Sequence, residues 1–96
     1  MYGVIIRVRI HSDRDAEMRA RWVDQEVVPR AWQVPGFAGG SWFQALERDG
    51  GAAVMLFDSE ETARGYAERV ASQGPRADAA VWSVQAVGTY EVIARA

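Results

Sequence analysis

Few side chains in this sequence could carry out chemistry unaided. It has no cysteine, which removes thiolate catalysis, disulfides and sulfur-ligated zinc or iron–sulfur sites. Lysine and asparagine are also missing, so Schiff-base chemistry and any asparagine-dependent site are excluded. One histidine is present, His11, beside Ser12 and Asp13 at the end of a strand-like run. Arg7 and Arg9 precede it at alternate positions. A guanidinium offers paired N–H donors that match a carboxylate or phosphate. Arg7, Arg9 and His11 are therefore candidate anion partners on one strand face, although the same spacing fits a solvated or dimer-facing sheet surface. Phosphate-loop, zinc-ligand, nucleophile-elbow and dinucleotide patterns are not found. The glycine-rich stretch 36–40 does not lie between a strand and a helix, so it reads as a turn.

The elements that would position these groups follow from periodicity. Val4, Ile6, Val8 and Ile10 alternate with Ile5, Arg7, Arg9 and His11, so residues 2–11 read as a strand with the first set facing the core. Residues 13–33 read as a helix capped by Ser12 or Asp13, with Ala16, Ala20, Val23, Val27 and Ala31 as its inner stripe. Trp22 and Trp32 flank that stripe. Pro29 removes a donor and disfavours helical geometry at Val28, which predicts a kink or break there. Residues 40–48 read as a second strand with Trp42 and Phe43 on opposite faces. Asp49-Gly50-Gly51 then signals a hairpin. Residues 52–57 are apolar throughout, as in a strand covered on both faces. A second helix over 59–73 has Asp58 or Ser59 as cap and Ala63, Tyr66, Ala67 and Val70 as inner stripe. Residues 81–94 form an overlong last strand that Gly88 is expected to bend.

The order is β-α-β-β-α-β, the ferredoxin-like α+β fold, with an antiparallel sheet and two helices on one face. All 96 residues fit one domain. The doubly apolar third strand and the long fourth strand predict a homodimer built through the sheets, with Arg7 and Arg9 near the interface and Glu47 or Glu91 as their partners. Net charge is −2 and the 11 basic residues, all arginine, are spread along the chain. A nucleic-acid partner is thus not expected. No apolar run is long enough to span a membrane, and Arg7 interrupts the first strand too early for a signal peptide. A cytoplasmic location is the expectation.

Three segments carry a family resemblance: Pro35-Gly36-Phe37, the apolar strand running into Phe57-Asp58-Ser59-Glu60-Glu61-Thr62-Ala63, and the closing Val87-Gly88-Thr89-Tyr90-Glu91-Val92. Together they resemble the antibiotic biosynthesis monooxygenase (ABM) family over nearly the whole chain. The resemblance implies a dimeric α+β barrel with the helices outside and a ligand cleft between each sheet and its own helices. No metal or flavin motif is present, so no cofactor is expected. Phe57 stands where the family often has tryptophan, and Ala53 where its quinone-forming oxygenases have asparagine. The haem-degrading branch uses an asparagine on the first strand and a histidine on the second helix, and this chain has neither.

In such a cleft the ligand-binding candidates are aromatic: Trp22, Trp42, Phe57 and Tyr66, joined by Trp32 and Trp82. These either fill the core or line a flat pocket for a small polyketide- or quinol-like molecule, with an indole or phenol donating an orienting hydrogen bond. Two function classes follow. One is a cofactor-independent monooxygenase, with Tyr66 and Trp42 as donors and His11 or an arginine as base or anion partner. The other is a non-catalytic dimeric binding or assembly module. No catalytic residue is singled out.

Overall fold

The computed structural model describes residues 1–10, 16–72 and 82–96. The elements are β1 (Tyr2–Ile10), α1 (Ala16–Trp22), a π-helical segment (Val23–Val27), α2 (Val28–Ala31), β2 (Phe37–Gln44), β3 (Gly50–Phe57), α3 (Glu60–Ser72) and β4 (Trp82–Glu91). The strands form one sheet in the order β2-β3-β1-β4, and every pairing is antiparallel. This is the predicted ferredoxin-like α+β fold. The expected caps Ser12 and Asp13, His11, and the predicted end of the second helix at residue 73 all lie outside the described residues.

One parity of the sheet builds the core. Val4 and Ile6 of β1 and Ala53, Met55 and Phe57 of β3 are buried, and they meet Ala31 of α2 and Ala63 and Ala67 of α3. Small alanines on the helices let the backbones approach the sheet closely, and Phe57 and Met55 supply the volume. No polar side chain is buried among the described residues. The opposite parity faces away from the helices. There Ile5, Val54 and Leu56 are half-buried, while Phe43 and Tyr90 are 57% and 54% exposed.

The first helical run differs from expectation in two ways. Val28 is fully helical, with φ −60° and ψ −48°, so Pro29 does not break the helix. The distortion is taken up one turn earlier, where the Val28 N–H bonds to the Val23 carbonyl across a π-turn. A widened turn of this kind absorbs the ladder bond that Pro29 cannot make. The predicted inner stripe is also poorly covered: Ala31 is buried, Val23 and Val27 are half-buried, and Ala20 is exposed. Only the C-terminal end of this run is seated on the core.

Turn chemistry explains several boundaries. Phe37 N–H bonds to the Val34 carbonyl at 3.1 Å, and Gly36 has φ 79°. With Pro35 before it, this is a type II turn, which requires positive φ at its third position. A Cβ on Gly36 would stand 2.5 Å from the Thr62 hydroxyl, so the turn is docked on the start of α3. Ser59 caps α3: its hydroxyl accepts from the Thr62 N–H at 3.2 Å, which settles the choice between Asp58 and Ser59. The hairpin forms as expected, but through a wider loop than Asp-Gly implies. Ala45 N–H reaches the Gly50 carbonyl at 2.9 Å, and the residue with positive φ is Arg48 at 66°. Both glycines of the signal belong to β3.

β4 is ten residues long and ends at Glu91, short of the predicted span. Gly88 pairs regularly with Ile5 and is not the irregular position. Arg7 pairs with Ala86 and Val8 with Val84, so Gln85 is the extra, bulged residue. Gly88 has another role: a Cβ there would lie 2.7 Å from the Tyr90 ring, which rests over it.

Candidate aromatic cleft and the arginine face

The helix side of the sheet carries a continuous aromatic path. Phe57, fully buried at the end of β3, lies 5.4 Å from Tyr66 of α3 and 6.0 Å from Phe37. Phe37 in turn meets Trp32 edge-on at 4.9 Å and Trp42 at 6.4 Å. Such edge and tilted contacts are favourable for aromatic quadrupoles. The path climbs from the core to the surface, because Trp32 is 61% exposed while Trp42 and Tyr66 are half-buried. It is built by local rules: the type II turn sets Phe37 at the head of β2, and the Ser59 cap starts α3 so that Tyr66 points back at Phe57.

Of the four aromatic candidates, Trp42, Phe57 and Tyr66 are brought together, linked through Phe37. Trp22 is not in ring contact with them. It is 42% exposed and lines an open hollow of about 400 Å³ with Met18, Arg21, Gln25 and Glu26 on the helix itself. Trp82 opens β4, paired with Ile10. Phe37 was missed in the sequence, although its place directly after Pro-Gly could have shown it, since that turn fixes its direction. Arg19 was also missed; its Nε donates to Gln44 Oε1 at 3.3 Å, tying α1 to the far end of β2.

Arg7 and Arg9 lie on the helix-free face, both exposed. Neither pairs with Glu47 or Glu91 within the chain. The register explains the second: Glu91 is opposite Tyr2 and so points to the helix side. The ion pairs described are instead within helices, Glu26–Arg30 at 3.7 Å and Glu60–Arg64 at 3.5 Å. Both are exposed i,i+4 pairs worth a few tenths of a kcal/mol, about 0.3–0.5. Arg7 and Arg9 line a second open hollow of about 430 Å³ with residues of β2, β3 and β4. No group of three or more potential metal ligands occurs among the described residues. No helix of those residues is long and apolar enough to cross a membrane.

No protein-family model and no curated protein sequence matches the chain. Solved structures do match it. HapK from Hahella chejuensis superposes with a TM-score of 0.74 at 14% identity, covering 100% of this chain and 96% of the other. The haem-degrader MhuD from Mycobacterium tuberculosis, solved with two haems in its active site, gives 0.67 at 17% identity, covering 100% and 99%. A dimeric ferredoxin-like protein from an uncultured marine organism gives 0.64 at 12% identity, covering 99% and 97%. The chain shares the ferredoxin-like α+β fold of these proteins.

Proposed function

We propose that this chain is an ABM-type small-molecule-binding protein that works as a homodimer. Two copies pair through the helix-free sheet face, and each holds a flat aromatic molecule between its sheet and its first helical run. The observation that supports this most is the aromatic path Phe57–Phe37–Trp32, which runs from core to surface and ends just after a helical run whose inner stripe is half covered. A π-turn, the kind of irregularity frequent at functional sites, sits in that helix. A planar molecule inserted there would cover Val23 and Val27 and stack on rings already in place. Tyr66 and Trp42 would supply polar edges to orient it.

Haem, which MhuD binds, fits the chain poorly. An iron porphyrin is usually held by an axial side chain, and α3 carries no histidine while the chain has no asparagine. Ala53 and Phe57 also lack the polar groups that would fix a substrate for oxygenation. The proposed activity is therefore binding. Cofactor-independent oxygenation would extend it if a substrate C–H were deprotonated and the carbanion met O2 directly.

Tryptophan fluorescence and calorimetry with anthrone-like and naphthol-like compounds test the proposal. Quenching and saturable binding are expected, weakened about tenfold in Trp42→Ala, or about 1.4 kcal/mol. No fluorescence change with any compound would overturn it. Oxygen consumption in the same solutions would separate an oxygenase from a binding protein.

A further inference from the structure

The hollow on the helix-free face has features that a bare sheet surface does not need. Arg7 and Arg9 line it from β1, Gln85 from β4, Phe43 from the end of β2, and Asp49 from the hairpin. Two backbone features shape it. Gln85 is there because of the bulge between Arg7 and Val8; bulges commonly re-aim a side chain beside a site. Gly50, which pairs with Arg9, forms part of the wall, and a Cβ on it would stand 2.7 Å from the Val8 carbonyl. No larger residue fits without moving a strand.

The charge is unbalanced. Among the described residues that line it, two arginines stand against one aspartate, and no acidic side chain of the described residues pairs with either arginine. A volume of about 430 Å³ lies in the range of small-molecule pockets, roughly 300–1,000 Å³, and exceeds what a simple inorganic ion would fill. Phe43, 57% exposed, offers a flat apolar wall beside the cations.

We propose that this hollow binds a small organic carboxylate with an aromatic or otherwise apolar body. The carboxylate accepts charge-assisted bonds from Arg7 and Arg9, Gln85 donates an amide hydrogen to its rim, and the body packs on Phe43. A second copy covering this face would desolvate the guanidiniums and strengthen the contact. The site is on the opposite side of the sheet from the aromatic cleft and does not depend on that cleft being occupied.

The test is titration of the intact protein with benzoate, benzamide and inorganic phosphate, followed by calorimetry and by NMR of the Gln85 side-chain amide. Benzoate is expected to bind saturably and shift that amide, with benzamide and phosphate at least tenfold weaker. Arg7→Gln and Arg9→Gln should each weaken benzoate at least tenfold, while Arg64→Gln, at an exposed arginine of α3 outside both sites, leaves it unchanged. Both arginines are exposed, so the folded state of each variant is checked by its thermal unfolding. Equal binding of benzamide would show that charge is not read, and equal binding of phosphate would show an adventitious anion patch. Either result, or no binding of benzoate, overturns the proposal whether or not the aromatic cleft binds a ligand.

Discussion

Phe57 concentrates more of the structure than any other side chain. It is fully buried, touches two further rings, and closes β3 just before the Ser59 cap. Phe57→Ala should lower stability by about 3–5 kcal/mol, the usual cost of a phenylalanine-sized cavity, measured by urea unfolding. Trp32 is equally large but mostly exposed, and Trp32→Ala should cost less than about 1 kcal/mol. The reverse ordering would mean that the path is seated differently from the packing described. Phe57→Trp, the residue the ABM resemblance places here, adds volume where Phe37 and Tyr66 leave none, and overpacking of this kind costs about 1–3 kcal/mol.

At the scale of elements, Gly65 gives the cleanest expectation. It lies in the middle of α3, and a Cβ there would meet nothing within 4 Å. Its replacement therefore gains helix propensity without a clash. Gly65→Ala should raise stability by about 1 kcal/mol, seen as a rise in Tm of roughly 4–8 °C. The elements themselves were legible because their periods differ: the alternation of Val4, Ile6 and Val8 and the Ala63–Ala67 stripe each have one reading. What escaped was where backbone irregularity falls. Pro29 announces a distortion but not its position, because the lost bond can be absorbed a turn earlier. Gly88 looks like a bulge, yet the bulge is at Gln85, since only the cross-strand partner reveals an extra residue. The aromatic candidates were legible as residue types, but which of them meet is set by the Pro35-Gly36 turn and by α3's start. Trp22, on the same helix as Ala31, could not be separated from the others by sequence spacing.

At the scale of the whole molecule, the helix-free face is the unresolved surface of a single chain. Ile5, Val54 and Leu56 form its apolar middle, with Tyr90 at one end and Phe43 and the arginines at the other. Light scattering at micromolar concentration is expected to give twice the mass of the 10.6 kDa chain. Val54→Asp, which sets a charge in the middle of that face, should shift the population to monomer while leaving the far-ultraviolet circular dichroism intact. A monomer in the unaltered protein would remove the sheet-to-sheet pairing. Beyond Glu91 the antiparallel register carries on to the chain's own beginning: the Val92 N–H bonds to the Met1 carbonyl at 3.0 Å, with Ile93 93% exposed just after it. The backbone is in effect an almost closed ring. A short glycine-serine linker could join the last residue to the first, and new ends could be cut in the exposed hairpin loop at 45–49, where few contacts cross. Such a rearranged chain would keep the sheet order and would move β1 from first to last but one among the strands to be synthesised, without changing what any strand pairs with.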